Sequence, residues 1–130
     1  MVGSKFLLDT NIVVAWFKGE ENVVDKIIES SQIFIPSIVI GELMFGAMNS
    51  MRVETNVAPI IKLIREYPVI SIDSATAKEY GILKSKLKKD GKPIPENDIW
   101  IAALAKQYNM PLVTRDGHFG VITNIEVVSW

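Results

Sequence analysis

The chain has no cysteine, which removes disulfides, thiolate nucleophiles and sulfur-ligated metal centres. It has one histidine, too few for a structural zinc site of the usual kind. No apolar run approaches the ~20 residues of a membrane-spanning helix. Met1-Val2-Gly3-Ser4-Lys5 lacks the charged-then-apolar layout of a secretory leader, and Phe6-Leu7-Leu8 is too short to be its core. A cytoplasmic protein is the expectation. Neither sign of charge dominates, since 14 basic and 15 acidic residues leave a net charge of −1. A module that holds nucleic acid by charge alone is usually basic. A nucleic-acid role here therefore needs a local basic patch or bound cations.

What is present fits one domain. The 130 residues can build a single core and are too few for two, and 48% hydrophobic with 22% charged residues is a globular composition. There is no internal repeat, low-complexity tract or interdomain linker, so residues 1–130 read as one unit. The chain is organised around Lys5-Phe6-Leu7-Leu8-Asp9-Thr10-Asn11. Its short apolar run is a strand buried on both faces, and it stops on an aspartate. A helix follows over 12–17 and closes at Gly19, with Asp9 or Thr10 as its cap. An amphipathic helix spans 21–30, and Ile33-Phe34-Ile35 is a second strand. Ser37 is expected to cap an apolar helix from Ile38 to about Met48. The next helix, from about Val53 to Tyr67, contains Pro59 and is expected to kink or break there.

Val69 to Ile72 is a third strand, and Asp73 or Ser74 caps the helix that runs to about Lys89. The stretch from Asp90 to Pro95 is a loop. Asn97 is expected to cap a helix over Asp98–Tyr108. Pro111 to Thr114 is a fourth strand, Arg115 to Gly120 a loop, and Ile125 to Val128 a fifth strand. Strands alternating with helices give a three-layer α/β fold with a mostly parallel five-stranded sheet. The C-terminal ends of parallel strands then share one edge, where open α/β sheets bind ligands.

Most acids lie among lysines on helix surfaces, but four lie in apolar surroundings. They are Asp9 after the first strand, Glu42 in Ile38-Val39-Ile40-Gly41-Glu42-Leu43-Met44-Phe45, Asp98 in Asn97-Asp98-Ile99-Trp100-Ile101, and Asp116 after Leu112-Val113-Thr114-Arg115. The fold reading brings all four to the same sheet edge. Glu42 shares a helical face with Ile38, Val39 and Phe45, a face expected to be packed. Converging carboxylates stay ionised only when cations neutralise them, and otherwise take up protons. All-oxygen ligands select a hard divalent cation, Mg²⁺ or Mn²⁺. An acidic cluster holding such an ion is suited to phosphoryl chemistry. Each acid has a plain alternative: Asp9 and Asp98 serve equally as helix caps or first-turn acids, Glu42 as the partner of a buried base, and Asp116 as a turn residue.

The motifs Leu8-Asp9-Thr10-Asn11, Gly41-Glu42-Leu43, Ile94-Pro95-Glu96-Asn97-Asp98-Ile99-Trp100-Ile101-Ala102-Ala103 and Thr114-Arg115-Asp116-Gly117-His118-Phe119 resemble those of the PIN-domain nucleases. Within that family they are most similar to the VapC-type toxins of VapBC toxin–antitoxin pairs. The resemblance runs along essentially the whole chain. It implies a Rossmann-like fold, metal-dependent endoribonuclease activity, a homodimer and inhibition by a VapB-like antitoxin. It implies that Asp9 and Asp98 are the principal metal ligands, that Asp116 completes the site or binds a second ion, and that Glu42 supports it. Asn11 and Thr114 match positions that orient the acids at the substrate. The implied reaction is attack of metal-activated water on an RNA phosphodiester.

Other residues carry weaker expectations. Arg115 is a candidate to contact phosphate or to neutralise the acids. His118 reads as a loop residue, because a metal already supplies the nucleophile. Lys84, Lys86, Lys88, Lys89 and Lys92 read as a solvated helix face or as a guide for RNA. Trp16, Trp100 and Trp130 read as core or interface. Helix 38–48 with Met44 to Met51 carries more apolar side chains than one face can bury, which marks a contact with an antitoxin or a second copy. The competing functions are a PIN nuclease outside a toxin–antitoxin system, a non-catalytic α/β binding module, and a metal-dependent phosphatase or phosphotransferase.

Overall fold

The computed structural model describes residues 4–130. Met1 to Gly3, part of the segment that lacks a leader layout, lie outside the described residues. The sheet has five strands in the order β3-β2-β1-β4-β5, every pairing parallel. The strands are β1 (Lys5–Leu8), β2 (Gln32–Pro36), β3 (Val69–Ile70), β4 (Leu112–Val113) and β5 (Val127–Val128). The helices are α1 (Thr10–Phe17), α2 (Glu21–Glu29), α3 (Ser37–Met48), α4 (Val53–Glu66), α5 (Ser74–Lys89) and α6 (Glu96–Tyr108), with a 3₁₀ turn over Gly117–Val121. Among the described residues, no helix is long and apolar enough to cross a membrane.

β1 lies at the centre because its side chains suit no other place. Leu7 and Leu8 are fully buried, and Phe6 packs edge-on against Trp130. From β1 the chain moves outward through β2 to β3, then returns across the sheet to β4 and β5. The strand order therefore reverses between β1 and β4, and ligand crevices form at such a reversal, outside the strands' C-terminal ends. Asp9 follows β1 directly, and Asp116 lies three residues beyond β4.

Several expectations at helix starts are corrected. Asp9 does cap α1, and Asp73 forms a reciprocal capping box with Thr76. Ser37 and Asn97, however, are helical residues rather than caps. The cap positions of α3 and α6 are Pro36 and Pro95, and neither offers a side-chain hydrogen bond. Proline's fixed backbone angle suits a helix entrance, and this preorganisation takes the place of a polar cap. α4 continues unbroken through Pro59. Its buried Ile60 and Leu63 anchor it against the core on the far side of the proline. β3 is shorter than its apolar run, ending at Ile70. The tryptophans pack as expected, Trp16 edge-on to Tyr67 and Trp100 stacked on Tyr80.

Candidate active site

All four acids border one cleft of about 420 Å³, together with Thr10, Asn11, Lys18, Glu20 and Arg115. Asp9 is the most buried of them, at 4% exposure. Its carboxylate accepts from the Thr10 backbone N–H at 2.8 Å, from the Thr114 hydroxyl at 2.7 Å and from the Asn11 amide at 3.3 Å. Asp98 projects from the first turn of α6 and is 9% exposed. Asp116 is half-buried, and one of its oxygens accepts the His118 backbone N–H at 2.9 Å. That bond folds the Asp-Gly-His segment back on itself, as short acidic side chains do in turns. Glu42 accepts the Thr10 hydroxyl at 2.9 Å. Its partner is thus a hydroxyl, not the buried base of the alternative reading.

Thr114 is the hub of this network. Its hydroxyl donates to Asp9 and accepts from the Asp116 backbone N–H at 3.0 Å and the Asn11 amide at 3.3 Å. Asn11 in turn accepts the Arg115 backbone N–H at 3.0 Å. The loop after β4 is thereby tied to the start of α1. Thr114 is 2% exposed and its hydroxyl is fully engaged. Through it the carboxylate of Asp9 and the backbone of Asp116 are held together.

The electrostatics are those of crowded carboxylates. The carboxyl of Asp98 is pushed up from the ordinary 3.8 to about 6. Burial is the main cause, followed by the facing charges of Asp9 and Asp116. Asp9 is also raised, chiefly by burial, against the opposing pull of its hydrogen bonds. Among the described residues, no lysine or arginine pairs with any of the four acids. Arg115, expected to contact phosphate or neutralise them, instead reaches Glu20 at 3.1 Å and donates to the Trp130 carbonyl at 2.9 Å.

His118 is better placed than expected of a loop residue. Its Nδ1 lies 3.3 Å from Asp98 and 3.0 Å from Asp116. Asp98, Asp116 and His118 offer three ligand atoms within 4.8 Å of one another, the spacing needed to hold a metal ion. Two carboxylates and an imidazole suit Mn²⁺ or another divalent ion that tolerates a nitrogen ligand. Asp9 stands beside the set, its charge felt by Asp98. The sequence did contain a signal for His118, the two-residue Asp116-Gly117-His118 spacing of a tight turn. Glu20 carried none, because only the fold brings it to Arg115. The expected packed face of Glu42 is only partly so, with Val39 buried and Phe45 exposed.

The PIN domain family profile matches residues 6–124. The chain belongs to the PIN-domain family. Ribonuclease VapC1 of Haemophilus influenzae is 29% identical to it, the match covering 96% of this chain and 97% of the relative. The tRNA(fMet)-specific endonuclease VapC of Salmonella typhimurium is 30% identical, covering 97% and 98%. Among solved structures, the DNA-bound VapBC of Salmonella typhimurium superposes with a TM-score of 0.91 at 28% identity, covering 98% of each chain. In this PIN domain the acids sit at the reversal of strand order, and the fold carries them there without long loops.

Proposed function

We propose that this PIN domain, residues 1–130 acting as one unit, is a divalent-metal-dependent endoribonuclease and the toxin of a toxin–antitoxin pair. The observation that carries the reading is the convergence of Asp9, Glu42, Asp98 and Asp116 on one cleft with, among the described residues, no lysine or arginine bonded to them. Such an arrangement is electrostatically unfavourable on its own and becomes favourable around a cation. The relatives named as VapC ribonucleases and the VapBC structures support the same reading.

Asp9, Asp98 and Asp116 would hold Mg²⁺ or Mn²⁺, with His118 as an additional ligand. The bound ion would supply charge neutralisation, activation of the attacking water and stabilisation of the leaving oxygen. The chain's own residues do the positioning. Thr114 and Asn11 lock the Asp9 carboxylate in one orientation, and Thr10 holds one oxygen of Glu42, which lines the cleft. Arg115 rests on Glu20 in an exposed pair, and such pairs are worth little. An RNA phosphate can take the guanidinium over with a bidentate contact. Asn11, at the cleft rim, borders the same phosphate position.

The partners in this reading are RNA, a VapB-like antitoxin and a second copy of the chain, in a cytoplasmic setting. An apolar groove along α1, α3 and α4, lined by Val14, Phe17, Leu43, Ala47 and Ile60, opens beside Glu42 and suits an antitoxin segment. The deciding experiment is Mn²⁺ calorimetry on wild type, Asp9→Asn and Asp98→Asn, with cleavage of single-stranded RNA followed in parallel. Binding and cleavage in wild type, both lost in the variants and on chelation, are expected. Wild-type protein that binds no ion, with both variants unchanged, would return these acids to capping duty.

A further inference from the structure

The acid cleft has cations as well as acids, and its two cations are placed differently. Of the residues that line it, only Lys18 and Arg115 are basic, against five acids. Arg115 is engaged. Its guanidinium reaches both oxygens of Glu20, at 3.1 and 3.4 Å, and donates to the Trp130 carbonyl. Lys18 is exposed, and among the described residues its ammonium pairs with no carboxylate.

Lys18 belongs to the face of α1 that walls the cleft. Thr10, Val14 and Lys18 recur at intervals of four, so they stand one above another on the helix, and all three line the cleft. Thr10 marks the acid end through its bond to Glu42. Lys18 is the C-cap at the other end, where Gly19, at a φ of 75°, turns the chain out of the helix. At 1.5 Å per residue the two ends of this face are roughly 12 Å apart. A lysine at a helix C-terminus also opposes the helix dipole, which is reason enough for a basic residue there. It is no reason for a cation beside five acids to stand without a partner. Glu20, two positions away in sequence, is the obvious candidate, and Arg115 already holds it.

We propose that Lys18 binds the phosphate of a nucleotide flanking the scissile one, and so lays the RNA strand along α1. The inference rests on the nuclease reading above and deepens it by giving the strand a course. The acid end can be neutralised by a divalent ion, but a strand running on from it needs an opposing charge farther along. Lys18 supplies that charge without breaking an ion pair, whereas Arg115 must first leave Glu20. The length of α1 separates Lys18 from the acids, so the phosphate it meets is a neighbour of the one that is cut. An ammonium is a compact charge on a flexible stem, suited to a phosphate oxygen and blind to the base. Such a contact fixes register and leaves sequence choice to other residues.

The test follows binding of a fluorescein-labelled single-stranded RNA by anisotropy, and its cleavage with Mn²⁺, in wild type, Lys18→Gln and Lys18→Arg. Lys18→Gln is expected to raise KM by about five- to tenfold with kcat within about twofold. The slope of log affinity against log salt should become shallower by about 0.7, and Lys18→Arg should keep most of the affinity. A neutral methylphosphonate is then stepped along the strand. At one flanking position it should cost wild type the same five- to tenfold and cost Lys18→Gln nothing further. A residue that serves only the helix dipole would lower Tm by a few degrees and move none of these readouts, which would overturn the proposal. Equal losses in both proteins at every methylphosphonate position would overturn it too. Wild type that cleaves RNA while Lys18→Gln binds it equally well would overturn this inference alone, and give Lys18 to the apolar groove that it also borders. Wild type that binds RNA through Lys18 but cleaves none would sink the nuclease reading and leave the contact standing.

Discussion

The acid cleft and the lysine-rich face of α5 are the two most charged regions of the molecule, and they are built in opposite ways. On α5, Lys84 reaches Glu96 at 3.1 Å and Lys86 reaches Asp90 at 3.2 Å, all four side chains about half exposed. Each of these four charges has a partner in the chain and water around it. In the cleft, Asp9 and Asp98 are buried, like charges face each other, and the partners are hydroxyls, amides and one imidazole. The number of charges says little about function. Whether the chain supplies the opposing charge to a buried group says much more, and the buried acids of the sheet edge, Asp9 and Asp98, are left without a lysine or arginine among the described residues.

The largest test of this contrast is to remove one unbalanced charge. Asp98→Asn is expected to lower RNA cleavage by at least about 100-fold, because even groups that merely orient metal ligands are worth ten- to a hundredfold. Folding should respond in the opposite direction. The Asp98 carboxyl is raised from 3.8 to about 6 in the folded chain, so between those values the folded state holds a proton that the unfolded state releases. Its contribution to stability is present below about pH 4 and is lost as pH rises through 6. Asp9 is shifted the same way. Without metal at pH 7, Asp98→Asn should therefore be more stable than wild type by about 1 kcal/mol, after allowing for solvent screening. That corresponds to a few degrees in Tm. The gap should close at pH 4, and Mn²⁺ should raise the wild-type Tm but not the variant's. Thermal melts at the two pH values, with and without Mn²⁺, check every sign. A less stable variant would mean that Asp98 serves the helix and not an ion.

The contrast also shows why some of the site was legible in the sequence and some was not. Asp9, Glu42, Asp98 and Asp116 stood out because an acid within Leu, Ile and Val has few cheap explanations, and the alternation of strands and helices placed them on one edge. The central strand was readable for the same reason, as four residues with two that no surface would keep. Helix starts were less readable. Ser37 and Asn97 looked like caps because polar caps are the common solution, yet Pro36 and Pro95 enter their helices through backbone preorganisation. The partners of Thr10 and Glu20 could not be placed from sequence, since they lie 32 and 95 positions away, and for His118 the sequence signalled the turn with Asp116 but not the approach to Asp98, 20 positions away. Sequence distance hides such pairings, and only the reversal between β1 and β4 closes them.

A middle-sized test breaks the cleft without touching its charges. Thr114→Val keeps the shape of the side chain and removes the hydroxyl that holds Asp9 and the Asp116 backbone. Asp9 then keeps its hydrogen bonds from Thr10 and Asn11 and is deprived of its shortest one. A decrease of about 1–2 kcal/mol in stability is expected for a buried hydrogen bond to a charged group. Mn²⁺ affinity should fall by about ten- to a hundredfold. The measurement is calorimetry paired with denaturant unfolding on the same protein. Thr114→Ser, which restores the hydroxyl, should recover most of the affinity while leaving a small cavity. Equal affinity in Thr114→Val would show that Asp9 needs no orientation, and the comparison would lose its polar half.

The smallest expected effect is on the other side of the comparison. Lys84→Ala and Lys86→Ala each remove one member of an exposed ion pair, and Lys84 also leaves the Tyr80 hydroxyl, which it approaches at 3.0 Å. Exposed pairs contribute about 0–1 kcal/mol, so the double variant should unfold within about 1 kcal/mol of wild type. Its KM for RNA should change by no more than about two- to threefold if these lysines are a solvated face. The sharper measurement is salt dependence. For a single strand, every phosphate that the protein ceases to neutralise makes the slope of log affinity against log salt shallower by about 0.7. An unchanged slope would confine the lysines to solvation and leave the cleft's missing charge to the metal. A slope shallower by about 0.7 or more would mean that the balanced face also works on RNA, with Glu96 and Asp90 released as the phosphates arrive. The rule drawn from the cleft would then need a second term, because a charge paired within the chain can still be lent to a partner when the pair is exposed and weak.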